Sequence, residues 1–235
     1  MAKLWWLVVP ALLILAILTL PAALLSTRLD LPQQLGQVRG SLWSGQARWQ
    51  QPGHRPLQLE WRWDGGAHWQ WRAQSDDTEL FGLWRPGTAL TLPQLGGELA
   101  LDRLDLSDWL VVARPVGILE LDLKEVMLVS GAVPRAAGEA VWREAGLVGA
   151  VQESLGAIGL TLEPTEEALL IRVRSLQPAA VQVRGHIRLY AERYQAELWL
   201  RAAPDRPDLT PALAQLGEVQ PDGQVRLDIG GRTGW

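Results

Sequence analysis

The sequence predicts a mostly β fold: a single N-terminal transmembrane helix, then an antiparallel, curved or sandwich-like β-sheet domain with one or two short helices. Three observations predict it. Residues 4–25 carry no charge over 22 positions. The remaining chain alternates apolar and polar residues at the period of a half-buried strand. Gly and Pro, 23 and 15 of the 235 residues, punctuate those alternating runs where turns belong.

The uncharged segment comes first. At a helical rise of about 1.5 Å per residue it crosses the roughly 30 Å hydrocarbon layer of a bilayer. A cleaved signal peptide has a shorter apolar core, about 7 to 15 residues, and ends at a small-x-small site. Pro21-Ala22-Ala23-Leu24-Leu25-Ser26 is a poor version of that site, so the expectation is a retained anchor. Lys3 and the start amine lie on the short side, and a large domain translocates whatever its charge; Arg28 runs slightly against this orientation. The expected organisation is a cytoplasmic N-terminus at residues 1–3, the anchor at 4–25 and an exported β-domain at 26–235. Trp5 and Trp6 fall where an aromatic belt meets the interface, or simply add apolar bulk. Pro10 and Pro21 are tolerated in a membrane helix.

After the anchor, strands are expected near residues 42–49, 57–63, 67–73, 97–106, 119–124, 137–142, 157–163, 169–176 and 224–229. Residues 181–189 and 194–200 alternate in the same way across a short turn and read as a hairpin. One polar and one apolar face per strand argues for an antiparallel sheet covered on one side. Helical signals are short. Thr210 before Pro211 reads as a capping hydroxyl ahead of a first-turn proline, and Gly217 falls where a left-handed C-cap belongs. Ser107 is expected to start another turn through Trp109 and Val112.

Tryptophan is abundant, 13 residues in all. Between Leu57 and Arg72 the order is Leu59, Trp61, Trp63, Asp64-Gly65-Gly66, Trp69, Trp71. Hairpin loop length sets register, and a slip of one residue turns every side chain to the other face. A two-residue loop would split the tryptophans between faces. A three-residue loop at 64–66 or a five-residue loop at 64–68 unites all four with Leu57 and Leu59, leaving Glu60, Arg62, Gln70 and Arg72 on the polar side. The united arrangement is expected. The strip formed by Trp61, Trp63, Trp69 and Trp71 is then core beneath a second layer, the commoner place for large aromatics, or the lining of a groove for an acyl chain or a partner's apolar surface.

Composition excludes several function classes. The formal charge is -4 and the arginines are interspersed with acids, so nucleic acid is not an expected partner. The chain has no cysteine, which removes disulfides, thiolate catalysis and thiolate metal sites. His54, His68 and His186 are far apart without metal-ligand spacing, and His186 reads as a solvated side chain on a polar strand face. There is no G-x-S-x-G elbow or phosphate loop, and the two lysines are Lys3 and Lys124. Asp102, Asp105 and Asp108, or the Glu166-Glu167 doublet, are the remaining acid-base candidates, each with an adequate role in a turn, strand face or helix start. No catalytic residue, metal or cofactor is expected.

The order of glycines and tryptophans across the domain resembles the type II secretion system protein N family. The likeness begins at Val38-Arg39-Gly40-Ser41-Leu42-Trp43-Ser44-Gly45-Gln46-Ala47, where members carry Gly-Thr-Leu-Trp-x-Gly and Ser41 keeps the hydroxyl. It returns at Ala137 to Trp142 and at Leu155 to Leu162, then at Gly185-His186-Ile187-Arg188-Leu189, Tyr194 to Leu198, Leu213 to Gly217 and Pro221 to Leu227. Gln224 departs from the arginine that usually follows Asp222-Gly223. The matches extend from the anchor to about Gly230. Gly40, Gly45, Gly185 and Gly223 read as strand ends or bulges, and Asp222-Gly223 as a turn.

What the resemblance implies is a non-enzymatic accessory or assembly component in the bacterial inner membrane, single-pass, with its C-terminal domain in the periplasm. Its partners would be other inner-membrane or periplasmic secretion components, contacted through sheet edges or an apolar patch. The alternative is a lipid-binding or lipid-bridging β-trough anchored in that membrane. A third reading, a hydrolase, needs two acids in one cleft.

Overall fold

Alternating sequence becomes strand wherever one face can be covered, and the computed structural model follows that rule over residues 35–50, 55–87, 89–103, 113–149 and 153–233, which are the residues described. The expected anchor at 4–25 with its flanking residues, the turn from Ser107 to Val112, His54, Asp105 and Asp108 all lie outside them. Among the described residues no helix is long and apolar enough to cross a membrane.

The chain divides into two compact units, the first ending at Leu83 and the second beginning at Trp84. In the first, β1 (Leu35–Gly40), β2 (Ser44–Trp49), β3 (Leu57–Gly65) and β4 (His68–Gln74) pair in sequence order, each antiparallel to the next. Strand β5 (Glu79–Arg85) spans the division. The second unit holds β6 (Leu90–Ala100), β7 (Ala113–Leu128), β8 (Arg135–Gly149), β9 (Glu153–Pro164), β10 (Leu169–Ser175), β11 (Val181–Leu189), β12 (Arg193–Ala202), β13 (Glu218–Val219) and β14 (Val225–Arg232). Their spatial order is that of the sequence except at the end, where β14 lies between β12 and β13. Within each unit the strands form one antiparallel run, where a sandwich would need two separate sheets. Up to β12 the described pairs join strands that follow one another in the chain; β12 pairs instead with β14, and the chain between β12 and β13 carries the short helical segment.

The expected strand at residues 97–106 is corrected: β6 starts at Leu90 and ends at Ala100, followed by a 3-10 turn at Leu101–Arg103. Pro93 and the pair Gly96-Gly97 masked its first half, because both residue types normally punctuate strands.

The helical expectations are corrected as well. Only α1 (Thr210–Ala214) forms among the described residues, preceded by a 3-10 turn at Pro207–Leu209. Thr210 already has helical angles (φ -57, ψ -44) and makes no side-chain cap, because the 3-10 turn runs straight into the helix. Arg206 instead hydrogen-bonds Asp208 in that turn and holds its carboxyl below the ordinary carboxylate range. The C-cap is Gln215, not Gly217. Gly217 lets the chain pass close to β14: a Cβ there would lie 2.1 Å from the Arg226 carbonyl oxygen.

Two groups of buried side chains hold the second unit. Ile158, Val173, Val183, Leu200 and Val225 form one with Leu209 and Leu213 from the helical turn, so α1 covers part of this sheet face. Leu123, Val126, Ala136 and Leu169 form the other. At roughly 25 cal/mol per Å² of apolar surface removed from water, such burial is the main stabilising term. The first unit differs. Its buried residues among those described are Ala47, Ala73 and Thr78, all small.

Candidate functional site

The feature gathered in the first unit is its aromatic face. In the β3–β4 hairpin Trp61 is opposite Trp71 and Trp63 opposite Trp69, the register of the five-residue loop, so all four indoles share one face with Leu59 and Ala73. A bulge at Asp64 then lets Gly65 pair with His68, which corrects the expected loop to a return of two residues, Gly66 and Ala67. Gly65 and Gly66 supply the positive φ angles of 100° and 57° on which this tight return depends.

The turn between β1 and β2 is built onto that face. Ser41 Oγ accepts the backbone N–H groups of Trp43 and Ser44, both at 3.2 Å, and so closes the loop from Gly40 to Gly45. The Trp61 indole N–H donates to the Ser41 carbonyl at 3.1 Å, and that of Trp69 to the Leu42 carbonyl at 3.0 Å. The Trp63 indole N–H donates to the Gly66 carbonyl at 3.0 Å. Indole donors thus tie the side chains of the aromatic face to carbonyls of the two tight loops. Gly45 makes room for the closure: a Cβ there would sit 2.3 Å from Trp61 Cζ2 and 2.6 Å from the Arg39 carbonyl oxygen.

Trp43 joins the strip through its ring, stacked on Trp69 at 6.0 Å and edge-on to Trp63 at 5.4 Å. Sequence reasoning placed Trp43 in a family motif and missed its part here, because a turn residue follows no alternation. The indoles are not sunk in a core. Trp63 is 43% exposed, and Trp61, Trp69 and Trp71 are half-buried. Trp71 Nε1 is buried without a hydrogen-bond partner among the described residues. A face of this kind offers apolar area with fixed ring positions. Replacing Trp43 by Ala is expected to cost about 2 kcal/mol, from lost ring contacts at a partly buried position. It should also reduce the near-ultraviolet circular dichroism of the stacked indoles; an unchanged spectrum would deny the stacking.

The remaining motif positions lie in the second unit and do not converge on one site. Trp142 packs beside the main core and donates its indole N–H to the Val116 carbonyl at 2.9 Å. Asp222 Oδ1 accepts the Gln224 backbone N–H at 3.1 Å, and Gly223 has φ +76°, which together turn the chain into β14. Gly185 lies in β11, facing the backbone of β12.

The titratable residues named from the sequence stay dispersed. Thr165 closes the turn holding Glu166 and Glu167 by hydrogen bonds with the Ala168 backbone. Asp102 lies in the 3-10 turn after β6. His186 is not a solvated side chain as expected. It is half-buried beside Trp199, with Nε2 3.4 Å from a Glu197 carboxylate oxygen, a close approach whose geometry is not that of a hydrogen bond. Among the described residues no three of His, Asp and Glu gather as a metal site.

Fold and site define a mostly β, antiparallel protein whose distinctive surface is aromatic. The family model for type II secretion system protein N matches residues 32–228, most of the chain. The chain therefore belongs to the type II secretion system protein N family, and its role lies in type II protein secretion. No curated protein and no solved structure matches it.

Proposed function

We propose that this chain is a non-enzymatic accessory component of the type II secretion apparatus, held in the inner membrane by residues 4–25, with residues 26–235 in the periplasm binding other secretion components. The supporting observation is the strip of Trp43, Trp61, Trp63, Trp69 and Trp71, none of them fully buried, in which the indoles of Trp61, Trp63 and Trp69 are held by hydrogen bonds. Fixed aromatic side chains lose little conformational entropy on binding and are enriched at protein interfaces. The sheet edges suit contact less well. The β1 edge carries a bulge between Gly36 and Arg39, with Gln37 at φ +52°, and β13 is two residues long. Both devices discourage strand addition.

The test is in-cell photo-crosslinking from single positions between Leu57 and Arg72 and between Leu189 and Leu200, with the captured species identified by mass. Adducts to secretion-apparatus proteins are expected. Adducts to lipid alone would sink this reading in favour of the lipid trough. The trough draws on the same observation, since an incompletely covered apolar face suits an acyl chain as well as a protein.

A further inference from the structure

The opposite face of β10, β11 and β12 carries an arrangement that the aromatic strip leaves unexplained. Val173, Val183 and Leu200 point into the core. Alternation therefore turns Arg172, Arg174, Arg184, Arg188 and Trp199 the other way. Arg174 is directly opposite Arg184, and Arg172 opposite His186. Like charges facing each other across a sheet destabilise it.

Nearby arginines are neutralised: Arg172 pairs with Glu163, and Arg226 with Glu197 at 2.8 Å and Asp228 at 3.2 Å. Arg184 donates to the neutral amide oxygen of Gln224 at 2.8 Å and lies over the Trp199 ring at 5.9 Å. Among the described residues, no carboxylate lies within ion-pair distance of Arg174, Arg184 or Arg188. Two surface depressions meet at Arg184 and Trp199, one of about 520 Å³ reaching Arg188 and one of about 430 Å³ reaching Arg174.

We propose that this face binds an acidic, extended segment of a partner protein, its carboxylates on Arg174, Arg184 and Arg188 and an apolar side chain on Trp199. Guanidinium groups pair bidentately with carboxylates. Residues on one face of a strand recur about every 7 Å, a repeat that an extended acidic segment shares. Arg and Trp are also the side chains most often found as interface anchors. A protein segment fits better than an anionic lipid surface, because Glu163, Glu197 and Asp228 share the face and would repel a continuous anionic plane. The inference rests on the protein-contact reading and names its partner's chemistry.

The test uses the whole chain in phosphatidylcholine nanodiscs, titrated with a fluorescent extended peptide that has Thr at every second position and Glu and Val at the others, so that acids and an apolar side chain share one face, with phosphatidylglycerol vesicles as competitor. The peptide should bind, and more weakly as salt rises. Arg174→Glu combined with Arg188→Glu should weaken it at least about tenfold. Arg174→Glu alone should leave the melting temperature unchanged or raised, since it converts a like-charge pair into an opposite one, which separates lost binding from lost folding. Should the double variant unfold, Arg174→Gln with Arg188→Gln should show the same weakening. No peptide binding by the parent protein, equal binding by a folded variant, or displacement by vesicles at equal charge would overturn the proposal. If it fails while hairpin positions still capture secretion proteins, this face is wrong and the contact reading stands; lipid adducts alone at the hairpin retire the contact reading.

Discussion

Gly185→Val is expected to cost about 4 kcal/mol or more and to leave the β11–β12 pairing unformed at ordinary temperatures, a loss at the extreme of single substitutions. Gly185 stands opposite Leu198 with φ +151°, a conformation that side chains rarely adopt. A Cβ there would lie 2.1 Å from the Glu197 carbonyl oxygen and 2.9 Å from Leu198 Cα. Both obstacles are backbone, so no rotamer change relieves them, and the strands must separate. Separation breaks the ladder that carries Val181 and Val183 into the core beside Leu200. Gly36→Ala is the control: its Cβ meets nothing within 4 Å, and a change within about 0.5 kcal/mol is expected. Thermal and urea unfolding followed by far-ultraviolet circular dichroism checks both. Gly185→Val within about 1 kcal/mol of the parent protein would mean that β11 and β12 do not approach as described.

Ile158→Ala should have the next largest effect, about 3 to 4 kcal/mol, against about 1 kcal/mol for Ile158→Val. Ile158 is 2% exposed and lies opposite Trp142 on the neighbouring strand, in the same group as Val173, Val183 and Val225. Truncation removes apolar contact and leaves a cavity that a sheet paired on both sides cannot collapse to fill. Leu216→Ala, at 47% exposure, should stay within about 0.5 kcal/mol. The check is the urea midpoint at constant slope. If Ile158→Ala and Leu216→Ala shifted it equally, the burial pattern of the second unit would be wrong.

Much of this architecture was legible one strand at a time. Alternation in Val181 to Leu189 and Tyr194 to Leu200 located a hairpin whose pairs run from Val181–Ala202 to Leu189–Tyr194. The tryptophan order around Asp64-Gly65-Gly66 put all four indoles on one face, and Trp63 does stand opposite Trp69; the expected loops of three or five residues are corrected, because a bulge at Asp64 lets Gly65 pair with His68 and leaves a return of two residues, Gly66 and Ala67. Strands β1 and β5 were not legible. A bulge and two glycines interrupt the period in β1, and the Leu-Phe-Gly-Leu-Trp run of β5 has no period of two. The arginines opposed across β10 and β11 were also hidden, because interspersed charge in the sequence says nothing about which charges the register brings together.

Alternation alone located most of the strands, the faces of their side chains and the antiparallel class, because a side-chain period of two is a property of the extended backbone; it failed where glycine, proline or a bulge broke the period, as in β1, β5 and the first half of β6. Only the tertiary structure decided that Gly217 is a point of close approach and not a helix cap, that Trp43 completes the aromatic strip, and that Arg174 faces Arg184. Each of these depends on a neighbour brought near by pairing between strands, and no local pattern in the chain encodes that distance.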